Sequence, residues 1–488
     1  VSVAALAAVA VALPVVGGLV VLALGKWPNA REAATLVTAT TLFLVVWSML
    51  GPVRAGTVAG IGLVEVVPGV TLGLQVEPLG LLFALVASFL WIVTTVYSIG
   101  YMRGHHEQNQ TRFYFFFAIS IAAAMGAAFS ANLFTLFAFY EVLTLCTFPL
   151  VTHHGTEEAR RAGRVYLGIL LTTSIAFQLL AIIWTWQIAG TVDFTPGGIL
   201  AGRASRGVLG ALLVLFVFGV GKAAVMPFHR WLPAAMVAPT PVSALLHAVA
   251  VVKTGVFAIL KISVYVFGID LVRTLPTTPW LMWVAAATII LASLVAFTKD
   301  NLKARLAYST ISQLSYIVLG ALLANPYGIV GGGMHIAMHA FGKITLFFAA
   351  GAVLVAAHET EISRMHGLGR AMPFTFGAFF VGSLSIIGLP PAGGAWSKWF
   401  LGLGTLEAGQ LGLLAMLMVS SLLSLVYLLE VPVRAFFSKP PPDAHVHDGI
   451  HEAPWPSVVA LLITAAATVG LFLHPEPFHE LMLLVVGR

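Results

Sequence analysis

The sequence predicts an all-α polytopic membrane protein with about fourteen transmembrane helices. Three observations predict it. The 488 residues are 59% hydrophobic and only 9% charged, with a mean hydropathy of +0.98, whereas an average soluble domain is about 25% charged. Apolar stretches of about 20 residues, long enough to cross a bilayer, recur along the whole chain. The basic residues also segregate. Five of them, Lys222, Lys253, Lys261, Lys343 and Lys398, fall inside apolar stretches. Of the remaining twenty, fifteen lie in odd-numbered loops and five in even-numbered loops or the tail. Basic loops stay in the cytoplasm, so both termini are expected on the outer side of a multi-pass cell-membrane protein.

The elements follow in order. Residues 1–112 hold spans at 2–24, 33–50 and 79–101. The first has no basic leader and is too long for the apolar core of a signal peptide, so it reads as a retained span, or as a chain numbered from just after its start. Residues 113–267 hold five spans, at 113–130, 132–152, 164–188, 208–226 and 241–267. Residues 279–433 hold five more, at 279–298, 305–324, 328–357, 373–402 and 408–433. Five is odd, so the second block must run inverted relative to the first, the arrangement of secondary ion transporters. The connections at 131 and 325–327 are short enough to make their helices antiparallel neighbours. Spans 241–267, 328–357 and 373–402 are long or carry Gly and Pro, and are candidates for broken helices. Residues 434–488 hold a polar loop at 438–456, a span at 456–474 and a short interfacial helix.

Composition excludes several functions. Cys146 is alone, so no disulfide or cysteine cluster forms, and it reads as a small apolar core residue. Without cluster ligands or a nucleotide-binding fingerprint, the chain is not a redox catalyst. The net charge of +6 needs no nucleic acid. No cofactor is expected. His445, His447 and His451 lie in a Pro-rich loop and read as solvated rather than metal-bound.

The informative residues are the polar ones inside spans, where a charge costs roughly 2.5 kcal/mol or more. Glu141 in "LFTLFAFYEVLTLCTF" is the only acid in the first eleven spans, and Lys222 is its first available partner. A buried Glu–Lys pair is bistable, because a nearby charge or proton changes the pairing. Lys222 precedes "AAVMPFHRWLP", and Pro227 and Pro233 predict the helix break about a turn and a half beyond it. His247 and Lys253 point inward from "APTPVSALLHAVAVVKTGVFAILK", where Gly255 suits a break or a close approach. Lys261, near the far end, reads as a lysine snorkelling to the interface. His335, His339 and Lys343 in "HIAMHAFGK" stand at i, i+4 and i+8, on one helical face. That spacing suits a proton relay; a zinc site lacks its third ligand. Lys398 follows the helix break forced by "GLPPAGG". Glu430 is placed to pair with Arg434 at i+4. Ser309, Thr310, Ser312, Gln313 and Ser315 make their helix polar enough to face a hydrated interior.

The stretches "FYEVLTL", "GKAAVMPFHRWLPAAMVAPTPVSALLHAVAVVKTGVF", "KDNLKARLAYSTISQLSY", "HIAMHAFGKITLFF" and "GLPPAGGAWSKW" resemble one family over residues 80–435. It comprises the antiporter-like proton-translocating subunits of NADH-quinone oxidoreductase (complex I), membrane-bound hydrogenases and Mrp-type multisubunit cation/proton antiporters. The length and the ending "EAPWPSVVALLITAAATVGLFL" are most similar to the Mrp D subunit. "APTPVSALLHAVAVVK" is more similar to the largest complex I subunit and the Mrp A subunit. The resemblance implies fourteen helices, two inverted five-helix repeats and a hydrated central axis. It implies that Glu141 and Lys222 form the coupled pair of the first half-channel. His247 and Lys253 would bridge to His335, His339 and Lys343, and Lys398 would end the second half. It also implies a subunit of a monovalent cation (Na+)/proton antiporter, or alternatively of a redox-driven proton pump. Its partners would be other membrane subunits, protons, a monovalent cation and lipid.

Overall fold

The expected series of helices is present in the computed structural model, which describes residues 2–439 and 449–487. Among these, twelve helices are long and apolar enough to cross a membrane, and Arg206–Gly219 and Pro373–Ile387 are shorter apolar helices. Each corresponds to one of the fourteen expected spans. Their outer faces expose large apolar side chains such as Val37, Leu44, Leu291 and Leu422, as a chain surrounded by lipid or apolar partners requires. Helix Glu476–Val485 occupies the tail as expected. His445 and His447 lie outside the described residues.

The innermost elements carry the polar residues. Helix Thr240–Phe267 is wholly buried, and Leu302–Leu323 is nearly so. Helix Pro326–Ala357 packs against Leu302–Leu323, Gly394–Glu407 and Pro373–Ile387. Without a hydrophobic effect between helices in lipid, such contacts rest on close packing of small residues. A Cβ on Gly320 would sit 2.6 Å from the Gly328 carbonyl, and one on Gly331 would sit 2.7 Å from the Leu401 nitrogen. These glycines let three backbones meet.

Two expectations need correction. Pro326–Ala357 is one unbroken helix of 32 residues; its glycines serve contact, not a break. The break before Lys222 comes earlier than its prolines suggest. Helix Arg206–Gly219 ends at Gly219, and Lys222 itself lies in a one-turn 3-10 segment, Gly221–Ala223. Residues Ser174–Leu179 widen the helix Glu157–Ala189 into a π-turn beside that end. The all-α fold also carries one antiparallel hairpin of strands Ala59–Val67 and Val70–Val76. The second strand is partly buried, and Thr71 and Gly73 bond to Asn132 and Thr135 at the start of helix Leu133–Val151. The hairpin therefore ties the third span to the fifth.

Two of the expected breaks are present. Helix Pro373–Ile387 stops at Gly388, whose φ of 92° suits glycine, and Gly394–Glu407 resumes the path. Helix Thr240–Phe267 contains a π-turn at Leu245–Val249, ending at Ala250 (φ −122°, ψ −65°). His247 stands in that turn.

Candidate functional site

Six of the eight sequence-selected side chains are deeply buried. Lys222, His247, Lys253, His335 and Lys343 are 0% exposed and His339 is 1% exposed; Glu141 and Lys398 are half-buried, and Lys398 lines a cleft. An ammonium in such surroundings needs compensating oxygens, and each lysine has them or a nitrogen partner.

The first break positions Lys222. Its Nζ donates to Tyr140 O at 2.8 Å and to Thr144 Oγ1 at 2.5 Å, and lies 3.1 Å from the Tyr140 ring centre. Its backbone N–H donates to the Tyr140 hydroxyl at 3.0 Å. The turn is reachable because Gly255 on helix Val251–Ile262 has no side chain; a Cβ there would strike the Lys222 backbone. Gly255 thus serves close approach rather than a break. Glu141 stands between the two residues that hold Lys222, but no ion pair joins them among the described residues. One carboxylate oxygen of Glu141 is buried without a partner. Tyr140 and Thr144 hold the ammonium here, with Glu141 one residue beyond Tyr140 on the same helix.

Lys253 Nζ lies 2.6 Å from His339 Nδ1, joining helix Thr240–Phe267 to Pro326–Ala357. The His339 and His335 rings are 5.8 Å apart, as i, i+4 spacing predicts. His335 Nε2 lies 3.2 Å from Gln313 Oε1. His335 Nδ1 meets Ser397 Oγ at 2.8 Å, beside Lys398. Lys398 Nζ donates to Ile387 O at 3.2 Å and Ser421 Oγ at 3.0 Å. It lies 4.6 Å from the Tyr316 ring, which stacks on His335. A cavity of about 520 Å³ lined by Lys398, Tyr316, Gly388 and Ser421 opens there between apolar helices. On the third side, Lys343 Nζ donates to Ser309 Oγ at 2.8 Å, and Ser309 accepts from the Tyr427 hydroxyl. Lys253, His339, His335 and Lys398 therefore form one connected row, with Lys343 a turn beyond His339 and Lys222 against Gly255. The His247 ring lies tilted against Phe347, centroids 4.6 Å apart, and both its nitrogens lack a hydrogen-bond partner among the described residues.

Three features escaped the sequence reading. Lys261 does not snorkel. It is 0% exposed, and its Nζ lies 3.3 Å from Glu77 Oε1 and 2.8 Å from Ser130 O. Glu77 also accepts from Tyr265, Leu79 N and Gly80 N. The correction has a simple cause: Lys261 meets the acidic N-cap of another helix, 184 residues away, which a hydropathy plot does not show. Gln178 is buried in the π-turn with both amide atoms unpartnered, close against Gly219. Arg305 shares Glu430 with Arg434, at 2.5 and 2.6 Å; the expected i+4 pair is present but not exclusive. Among the described residues no His, Cys, Asp or Glu group is arranged to hold a metal.

The family described as "NADH:quinone oxidoreductase/Mrp antiporter, TM" matches residues 130–424. The chain belongs to this family. Residues 68–114 match "NADH-Ubiquinone oxidoreductase (complex I), chain 5 N-terminus". The chain is 34% identical to NADH-quinone oxidoreductase subunit N of Desulforudis audaxviator over 416 residues, covering 83% of this chain and 82% of that one. It is 31% identical to subunit L of Mycobacterium tuberculosis, covering 86% of this chain and 66% of that longer relative. Its fold is similar to a chain in the structure of the Mrp complex from Dietzia sp. DQ12-45-1b, with a TM-score of 0.87, 23% identity, and 99% and 97% coverage. Glu141, Lys222, His247, Lys253, His335, His339, Lys343 and Lys398 all lie within the matched residues.

Proposed function

We propose that this chain is the proton- and cation-translocating membrane subunit of a multisubunit monovalent cation (Na+)/proton antiporter. Protons would move along Glu141, Lys222, His247, Lys253, His335, His339, Lys343 and Lys398. The observation that carries the reading is the row Lys253–His339–His335–Lys398, in which three buried titratable side chains lead, by way of Ser397 and the Tyr316 ring, to a half-buried lysine. Intramembrane ionisable groups are costly and mark ion paths. The near-complete overlap with a chain of an Mrp complex favours the antiporter. Other membrane subunits would be its partners, lipid would surround it, and both termini would face outward. The blocks 113–267 and 279–433 would be inverted halves, each with a lysine beside a helix break. A second reading, the proton-pumping arm of a redox-driven complex, is favoured by the identity with NADH-quinone oxidoreductase subunits N and L. In that reading too, this chain would leave the redox chemistry to other subunits.

The test is cation-induced proton movement in everted vesicles, normalised to assembled complex. Glu141→Ala, Lys222→Ala and Lys398→Ala should each abolish transport, and Glu141→Asp should retain some. Lys398→Arg should be largely inactive, because a guanidinium does not release its proton. Assembled alanine variants with wild-type transport would sink the pathway. Proton movement that ignores Na+ and follows electron transfer would replace the antiporter by the second reading.

A further inference from the structure

Outside the buried row, one titratable cluster stands where two loops meet. Helix Pro78–Gly104 ends at His105, and helix Leu133–Val151 runs into His153 and His154. Glu107 lies between them, its side chain 5% exposed. His105 Nδ1 is 3.0 Å from Glu107 Oε1, His154 Nε2 is 3.2 Å from the same oxygen, and His153 Nε2 is 3.8 Å from Oε2. The side chains of His105 and His154 are about a third exposed, at 35% and 36%, whereas that of His153 is 2% exposed. Water therefore reaches two imidazoles, and these two touch an almost enclosed carboxylate.

His154 is the decisive member. Its other nitrogen, Nδ1, lies 3.2 Å from the Val237 carbonyl. Both ring nitrogens thus face acceptors. A neutral imidazole has one N–H and satisfies only one of them; the imidazolium satisfies both. The site is shaped for a proton. The bond to Glu107 raises the His154 pKa above the ordinary value, against an opposing effect of partial burial. Burial opposes ionisation of Glu107, yet its bonds with His154 and His105 outweigh this and hold its pKa below the ordinary value. Burial pushes the His153 pKa down. The other titratable or charged side chains facing the cluster are Tyr101, stacked on His105; Arg112, donating to the His153 carbonyl; and Lys303, donating to the Ala238 carbonyl.

The cluster also touches the interior. Val237 and Ala238 belong to the short segment between the Lys222 turn and Thr240, the first residue of the helix bearing His247 and Lys253. Tyr101 accepts from the Thr240 hydroxyl at 3.5 Å. Both loops are odd-numbered and share the face expected in the cytoplasm.

We propose that His154, with Glu107 as counter-ion and His105 as its water-facing neighbour, is the loading site at which the pathway takes up protons on this face. The inference rests on the proposed proton transport. A site of this kind holds a proton ready when free protons are scarce, and a mobile buffer replaces it. That gives a test a structural role does not pass.

Initial proton-uptake rates of the assembled complex are measured in everted vesicles from pH 6 to 9, in weak buffer and then in concentrated imidazole. His154→Gln and Glu107→Gln should match wild type at the acid end. Above neutrality in weak buffer they should fall several-fold, moving the alkaline limb of the profile to lower pH. Imidazole on the cluster's side should restore the rate. His105→Asn, an exposed and structurally mild change, should shift the same limb less. An unchanged alkaline limb in all three variants overturns the proposal, as does a loss that imidazole leaves in place. The proposed transport fails separately, when wild-type complex moves no protons in any buffer.

Discussion

The ion pair Glu77–Lys261 yields a prediction that reverses the expectation from sequence. A snorkelling Lys261 would be replaceable at no cost. The lysine found here is 0% exposed and has two close oxygen partners, Glu77 Oε1 at 3.3 Å and Ser130 O at 2.8 Å. Removing one member of a buried pair costs about 3–5 kcal/mol, because the other is left uncompensated. Lys261→Met leaves Glu77 with Tyr265 and two backbone N–H groups at 2.7 Å, so about 3 kcal/mol, the low end, applies. Glu77→Ala strands the ammonium and also removes the N-cap of helix Pro78–Gly104, adding about 1 kcal/mol for a total of about 5. The double variant Glu77→Ala, Lys261→Met strands no charge. It should recover about 2 kcal/mol relative to the summed singles. Lys261→Arg keeps the pair and should stay near wild type in stability. The assay is heat-induced loss of the monodisperse detergent-solubilised complex. A Lys261→Met variant as heat-resistant as wild type would refute the reasoning, and so would single-variant losses that simply add in the double.

Two further outcomes check other parts of the structure. Gly394→Ala should disturb the second break and reduce transport, because its Cβ would run into the Ser385 carbonyl, an overpacking cost of about 1–3 kcal/mol; Gly377→Ala, with open space around it, should stay within about 0.5 kcal/mol of wild type, as thermal denaturation will read. For topology, Glu158→Cys in a Cys146→Ser background should react with an impermeant maleimide only from the cytoplasm, while a C-terminal tag is accessible only from outside; the reverse pattern overturns the orientation.

What the sequence revealed depended on range. The break before Lys398 was legible because Pro390, Pro391, Gly393 and Gly394 are adjacent and each acts locally. The shared face of His335, His339 and Lys343 was legible because helical spacing alone sets it. The break before Lys222 was visible but misplaced: the prolines at 227 and 233 follow a turn that starts at Val220, where no proline marks it. The hairpin was missed because a search for 20-residue apolar runs passes over "GIGLVEVVPGVTLGLQV", whose Pro-Gly turn and alternation were the available signal. Partners far apart in sequence were out of reach. Nothing near Lys253 announces His339, and nothing near Lys261 announces Glu77. The glycines of Pro326–Ala357 were read as a break because glycine marks both flexibility and close packing; only the neighbouring backbones decide between them.

The contact between Lys253 and His339 has a consequence for counting charges. Two unit charges 2.6 Å apart would repel by about 6 kcal/mol at an effective dielectric of 20. The junction therefore has a single seat. On the proposed pathway, a proton arriving from the helix of Lys253 would take it only when the helix of His339 had given it up, and the reverse would hold equally. Such a joint would behave as a turnstile, passing protons one at a time in either direction and never storing two. Whatever load the two sides of the molecule carried, their exchange at this point would be tallied in single units.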